Sequence, residues 1–173
     1  MTVEDEEFEK VDYSNSNHAD SALVGSSFKS CNFSATKLNG SRLVDCTFTD
    51  CSFIGTEFGE TTLLDCRFLR CKFDTSSFIL SEQTRTIFEE CLLREIDMQQ
   101  SSLHGLSFPK SELQSLNMHN LEHFKELDFS EAAELGVLQG MSKLTASKVS
   151  MEQMPALGLL LSEELGLSIE NHI

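Results

Sequence analysis

The stretch Cys46-Thr47-Phe48-Thr49-Asp50-Cys51-Ser52-Phe53-Ile54-Gly55 places a phenylalanine every five residues and a cysteine two residues before each one. Reading outward from it, every fifth residue is large and apolar. To the N-terminal side these are Phe28, Phe33, Leu38 and Leu43, and to the C-terminal side Phe58, Leu63, Phe68, Phe73 and Phe78. The series continues through Phe88, Leu93, Met98, Leu103, Phe108, Leu113 and Met118, broken only at Gln83. A second series sits two places earlier in each unit and is uniformly small as far as Cys91, including Ser26, Cys31, Thr36, Ser41, Thr56, Thr61, Cys66, Cys71, Ser76, Ser81 and Thr86. Neither the 3.6-residue helix nor the two-residue strand yields a five-residue period, so the repeat itself must be the structural unit.

Runs such as Cys31-Asn32-Phe33-Ser34-Ala35 resemble the pentapeptide-repeat family over roughly residues 8–120. The resemblance implies a square coil in which each unit forms one side and four units make a turn. The large residue and the small one before it point inward, and the other three face solvent. The implied fold is all-β, a right-handed quadrilateral parallel β-helix over residues 1–120. A degenerate last coil and a small α-helical cap and dimerisation segment would occupy 121–173. Folding the series at twenty residues per coil puts Phe8, Phe28, Phe48, Phe68, Phe88 and Phe108 in one column and Tyr13, Phe33, Phe53, Phe73, Leu93 and Leu113 in the next. Cys31, Cys51, Cys71 and Cys91 form a column of their own. Parallel strands stack about 4.8 Å apart, so rings can pile face over face. The same spacing exceeds the roughly 3.5–4.5 Å between Cβ atoms of a disulfide, which predicts buried, reduced thiols. With no histidine in the small columns, the cysteines lack the geometry of a zinc site.

The pattern loosens in places. Gln83 either bonds to a neighbour such as Ser81 or lies in a bulged side, which makes residues 81–86 a candidate irregular side. Ile96, Leu106, Leu116 and Leu121 put large groups at small positions and predict wider last coils. Beyond Met118 the register moves by one, to Phe124 and Phe129. His18 and His123 fall at inward positions near the two ends. Nucleophile-elbow, phosphate-loop and zinc-helix motifs are missing, so neither catalysis nor a cofactor is expected.

Near the C-terminus, Ser150 and Gln153 have capping-box spacing and Gly166 is a natural helix stop. A helix near 151–165 follows, with Pro155 delaying or bending its start. Met154, Leu157, Leu161 and Leu165 form a stripe suited to covering the last coil, and Leu159, Leu160 and Leu167 lie on other sides. The ending Glu164-Leu165-Gly166-Leu167-Ser168-Ile169 resembles that of the bacterial quinolone-resistance pentapeptide proteins of the Qnr and MfpA type. That resemblance implies a homodimer joined through the cap, with Met154, Leu157, Leu160, Leu161, Leu165 and Leu167 as cap and dimer residues. It also implies DNA gyrase as a partner, engaged by imitating duplex DNA. The long loop insertions of many Qnr members are missing here, because the five-residue register runs from 8 to 118.

The formal net charge of −15 is concentrated at the ends: −6 over residues 1–20, −3 over 21–120 and −6 over 121–173. Five coils span roughly 24 Å, where B-DNA carries about 14 charges, so the shaft is not a charge mimic. In a cap-to-cap dimer the second end would double, around Glu122, Glu126, Asp128, Glu131 and Glu134, the candidate partner-binding residues. Acidic ends could equally serve to prevent coils from stacking end to end, and a generic interaction scaffold with an unknown protein partner is the alternative function. Direct nucleic-acid binding is disfavoured by the charge. The first ten residues carry five acids and no basic segment, and no apolar run reaches about 18 residues. A cytoplasmic location away from the membrane is expected.

Overall fold

The computed structural model describes residues 2–140 and 147–167. They form a right-handed parallel β-solenoid of about seven turns with one short C-terminal helix. The first side stacks Thr2–Glu4, Ala22–Val24, Arg42–Val44, Thr62–Leu64, Glu82–Thr84, Ser102–His104 and His123–Lys125 into a seven-stranded sheet. The second side runs from Glu7–Glu9 through Ser27–Lys29, Thr47–Thr49 and Arg67–Leu69 to Ile87–Glu89. A third sheet carries Ser52–Ile54, Lys72–Asp74, Leu92–Arg94, Glu112–Asn117 and Glu134–Gln139. The fourth side is held by single parallel bridges such as Lys37↔Glu57 and Glu57↔Ser77.

Inside, the columns are ring stacks. Phe28–Phe48 and Phe48–Phe68 have centroids 4.9 Å apart, with interplanar angles of 8° and 10°. Adjacent columns meet edge to face, as at Phe48–Phe53, where the angle is 76°. Offset-stacked and edge-on contacts are the two geometries that the ring quadrupole favours.

The small series does more than leave room. Most of the small hydroxyls and thiols donate to the carbonyl of the inward residue 23 positions earlier: Thr56 Oγ1 to Phe33 at 2.7 Å, Ser111 Oγ to Phe88 at 2.8 Å, Cys91 Sγ to Phe68 at 3.4 Å. Thr86 Oγ1 is buried without a partner, and Ser81 Oγ meets Ser101 Oγ instead. Alanine would fit the space and leave a buried carbonyl with one acceptor site fewer filled, which accounts for Ser, Thr and Cys at these positions.

The chain turns each corner through one residue in the left-handed region. Asp45, Asp50, Gly55, Glu60 and Asp65 have φ of 54°, 55°, 64°, 57° and 55°. Asp and Gly tolerate this conformation; Arg70, Thr75 and Leu80, with φ of 51°, 51° and 61°, do so only under constraint. That constraint comes from the next coil. The corner N–H of Thr75 donates to Arg94 O at 3.0 Å, and that of Leu80 to Gln99 O at 3.0 Å.

Residues 81–86 make a regular side, so of the two alternatives for Gln83 the bond to Ser81 is the one found and the bulged, irregular side is not. Gln83 pairs in register with Leu63 and Leu103, is buried, and donates from Nε2 to Ser81 Oγ at 3.2 Å. This hydrogen bond satisfies one end of the amide, while Oε1 is buried without a partner.

The register moves twice rather than once. Ser102 pairs with His123, a spacing of 21, and Glu112 with Glu134, a spacing of 22. Phe129 thereby stacks on Phe108 at 5.3 Å, and Phe124 packs against the core. The first inserted residue turns His123 outward, where it is exposed, contrary to its expected inward position. His18 does face inward and is half-buried, edge-on to Tyr13 at 5.6 Å. Ile96, Leu106 and Leu116 are buried, and Leu121 is half-buried. Glu112–Asn117 runs as one six-residue strand past what would be a corner, and Glu134–Gln139 pairs alongside it. At Gly136 a Cβ would lie 2.5 Å from Gln114 O, so only glycine allows the two long strands to close up there.

The 3₁₀ turn Met151–Gln153 leads into helix α1, Met154–Leu165, with Pro155 in its first turn and Gly166 as a left-handed C-cap. Gln153 ties the two regions together: its Oε1 accepts from Ser150 N at 2.9 Å while Nε2 donates to Phe129 O at 2.8 Å. The inward stripe differs from the expected one. Leu157 is buried, and Leu160 and Leu161 pack against the core. Met154 and Leu165, at the two ends of α1, remain exposed because the coil beneath supports only the middle turns.

Candidate protein-interaction site

Charged side chains on the shaft line up vertically, because the twenty-residue coil places each corner above its equivalent. Arg70 grips Asp50 with two bonds of 2.7 and 3.0 Å, and Arg85 does the same to Asp65 at 2.5 and 2.6 Å. Arg94 meets Asp74, and Lys110 meets Glu90 at 3.1 Å. The guanidiniums of Arg70, Arg85 and Arg94 hold the carboxyls of Asp50, Asp65 and Asp74 below the usual carboxylate range. Exposed pairs such as those of Arg70 and Arg85 contribute little each, because water screens them; the Asp74 carboxylate facing Arg94 is itself buried. Their larger consequence is that Asp50, Glu57, Asp65, Asp74, Glu89 and Glu90 face cations of a neighbouring coil, so any negative rail along the shaft is interrupted.

The final coils differ. Glu122 and Glu126 lie on the first side, Asp128 and Glu131 on the second, and Glu134 on the third. Together they wrap the terminal coils as a girdle rather than running as a stripe. Glu126 meets His104 at 3.4 Å and Lys125 at 3.5 Å, and Asp128 meets Lys148 at 3.3 Å. Burial acts upward on the Asp128 carboxyl, but the Ser130 hydroxyl and N–H and the Lys148 ammonium outweigh it and hold the carboxyl below its ordinary value. Among the described residues no cation lies within ion-pair distance of Glu122, Glu131 or Glu134, all exposed.

Beside this girdle α1 turns apolar side chains to solvent. Leu159 is 58% exposed, Leu165 57% and Leu167 61%. Of the cap and dimer residues, Leu157, Leu160 and Leu161 face the coil, while Met154, Leu165 and Leu167 do not. Ser168 and Ile169 of the quoted ending, and His172, lie outside the described residues.

The columns Phe28, Phe48, Phe68, Phe88, Phe108 and Cys31, Cys51, Cys71, Cys91 are all buried, and the six thiols are free. The neighbouring Cys71 thiol, and then burial, push the Cys51 thiol above its ordinary range. Native protein should therefore label at Cys51 and Cys71 only at the rate of unfolding, while denatured protein labels at once. Rapid labelling of either in native protein would contradict this packing. Among the described residues no group of three His, Cys, Asp or Glu side chains could hold a metal ion, and no helix is long and apolar enough to cross a membrane.

The sequence profile described as the pentapeptide repeat region matches residues 1–78 and 41–118, and the chain belongs to that family. The structure resembles a pentapeptide repeat protein, Rfr23, from the cyanobacterium Cyanothece 51142 (TM-score 0.54, 9% identity, 63% of this chain, 84% of that one). It also resembles full-length QnrB1, a plasmid-mediated fluoroquinolone resistance protein (TM-score 0.52, 16% identity, 96% of this chain, 100% of that one). No protein of curated function matches the sequence significantly.

Proposed function

We propose that the chain is a protein-binding scaffold that pairs with a second copy through α1 and presents the doubled acidic girdle to a DNA-binding protein of the DNA gyrase type. The observation that carries this reading is the juxtaposition of exposed Leu159, Leu165 and Leu167 with Glu122, Glu131 and Glu134, which no described cation neutralises. Apolar side chains with this exposure are suited to a two-fold contact, and a two-fold contact at this end doubles the local charge. The fluoroquinolone-resistance role of QnrB1 agrees with gyrase as partner. Because the shaft carries a net charge of only −3 over residues 21–120 and part of its acids are paired across coils, imitation of DNA rests mainly on the girdle. A scaffold serving another partner would share the fold and lack this dependence on the girdle.

Purified protein should migrate as an elongated dimer, and Leu167→Glu should split it, since an unpaired charge in an apolar contact is costly. A supercoiling assay with gyrase, with and without a quinolone, tests the partner. The dimer should alter the outcome, and both the Leu167→Glu monomer and a dimer carrying Glu122→Gln, Glu131→Gln and Glu134→Gln should lose the effect. A gyrase effect that survives neutralisation, or a wild-type dimer with none, would overturn the girdle as the gyrase-binding surface.

A further inference from the structure

The two ends of the solenoid are finished differently. At the C-terminal end α1 buries Leu157 over the last coil. At the other end nothing among the described residues covers the first coil, whose inward side chains Val3, Phe8, Tyr13 and His18 are only half-buried. Their successors Leu23, Phe28, Phe33 and Leu38 are buried. These two courses together line a well of about 290 Å³ whose lining is almost wholly apolar. His18 belongs to the lining, but its Nε2 is buried rather than open to the well and has no hydrogen-bond partner among the described residues.

Two further features surround the well. The strands Thr2–Glu4 and Glu7–Glu9 pair only with the second coil, so their other edge presents unpaired backbone groups. The rim is acidic, with Glu4, Asp5, Glu6, Glu7, Glu9 and Asp12 all exposed. Lys10 is the sole cation within residues 1–20 and lies 3.7 Å from Glu9, which Lys29 of the second coil also meets at 3.4 Å.

We propose that this mouth docks a basic protein segment, which adds an extended strand to the open edge and inserts a large apolar side chain, flanked by lysine or arginine, into the well. An open sheet edge binds extended chain through backbone hydrogen bonds, and a pocket for alternate side chains supplies selectivity. Charge selects the occupant. A second copy would bring either its own −6 N-terminal end or the −6 region of residues 121–173, and both repel the rim. A cationic strand is attracted. The docking does not depend on α1 or on gyrase.

The sequence supplies its own reporter. Tyr13 is the only tyrosine and there is no tryptophan, so ultraviolet emission excited at the tyrosine band comes from the wall of the well. The probe is an acetylated, amidated peptide of repeating Lys-Thr-Phe-Thr-Lys units added to the full chain. Saturable change in Tyr13 emission is expected. Apparent affinity should fall about tenfold or more when serine replaces the peptide's phenylalanine, and again between about 0.05 and 0.3 M salt. It should fall likewise in a variant carrying Glu4→Gln, Glu7→Gln and Glu9→Gln, all exposed positions, with circular dichroism confirming an intact solenoid. Unchanged emission, equal binding of a glutamate-flanked peptide, or binding indifferent to rim neutralisation would overturn the proposal. So would concentration-dependent Tyr13 emission in the protein alone, which would assign the mouth to a second copy.

Discussion

Replacing Phe68 by alanine is expected to cost about 3–5 kcal/mol, among the largest effects available to a single substitution in this chain. The ring is fully buried, stacked between Phe48 at 4.9 Å and Phe88 at 5.0 Å. Phe53 and Phe73 meet it edge-on at 5.5 and 5.3 Å. In a globular core some neighbours can slump into the space left by a large-to-small change. Here each neighbour is fixed by the hydrogen-bonded ladder of its own coil, so the void stays open and the removed contacts are not replaced. Phe8→Ala provides the comparison, since that ring is half-buried at the open end and stacks on one side only, against Phe28 at 5.0 Å. Urea unfolding of the two variants should separate them by well over 1 kcal/mol. A loss below about 1 kcal/mol at Phe68 would contradict the column packing.

Gln83→Leu should act in the opposite direction, stabilising the chain by roughly 1–3 kcal/mol. Gln83 stands in a column whose other members are Val3, Leu23, Leu43, Leu63, Leu103 and Phe124, all apolar. Its Nε2 has Ser81 Oγ as partner, but its buried Oε1 has none. Leucine matches the volume and removes both polar atoms, and Ser81 Oγ keeps its 3.2 Å contact with Ser101 Oγ. Ser81→Ala should destabilise, because it takes away the partner of Nε2 and leaves the whole amide unsatisfied. A neutral or destabilised Gln83→Leu protein would mean that the amide has a role the coil needs.

The five-residue spacing of Phe48, Phe53, Phe58 and Leu63 was enough to read the coil, its inward columns and the buried cysteine column, because an inward direction repeats locally and leaves its mark in composition. The partition of charge to the two ends was equally legible. The helix existed where its caps predicted, and Pro155 entered its first turn. What could not be read was which side chains α1 would turn inward: Leu160 packs on the core and Leu165 does not, a choice set by where the last coil lies beneath the helix. His123 was misplaced for a related reason, since the position of an inserted residue within a corner is invisible until the strands pair.

Sequence by itself determined the repeat length, the identity of the core and the acidic character of both ends, all properties of residues taken in linear order. Tertiary structure alone decided that Arg70, Thr75 and Leu80 adopt a left-handed conformation, that acids such as Asp50, Asp65 and Asp74 meet an arginine twenty residues on, and that the last coil is covered while nothing among the described residues covers the first. The physical reason is common to all three. Each depends on contacts between neighbouring coils, whether a corner N–H reaching the next carbonyl, an Arg70 fork reaching Asp50, or a helix packing over Leu138 and Phe129, and the strength of those contacts overrides the local preferences from which a sequence is read.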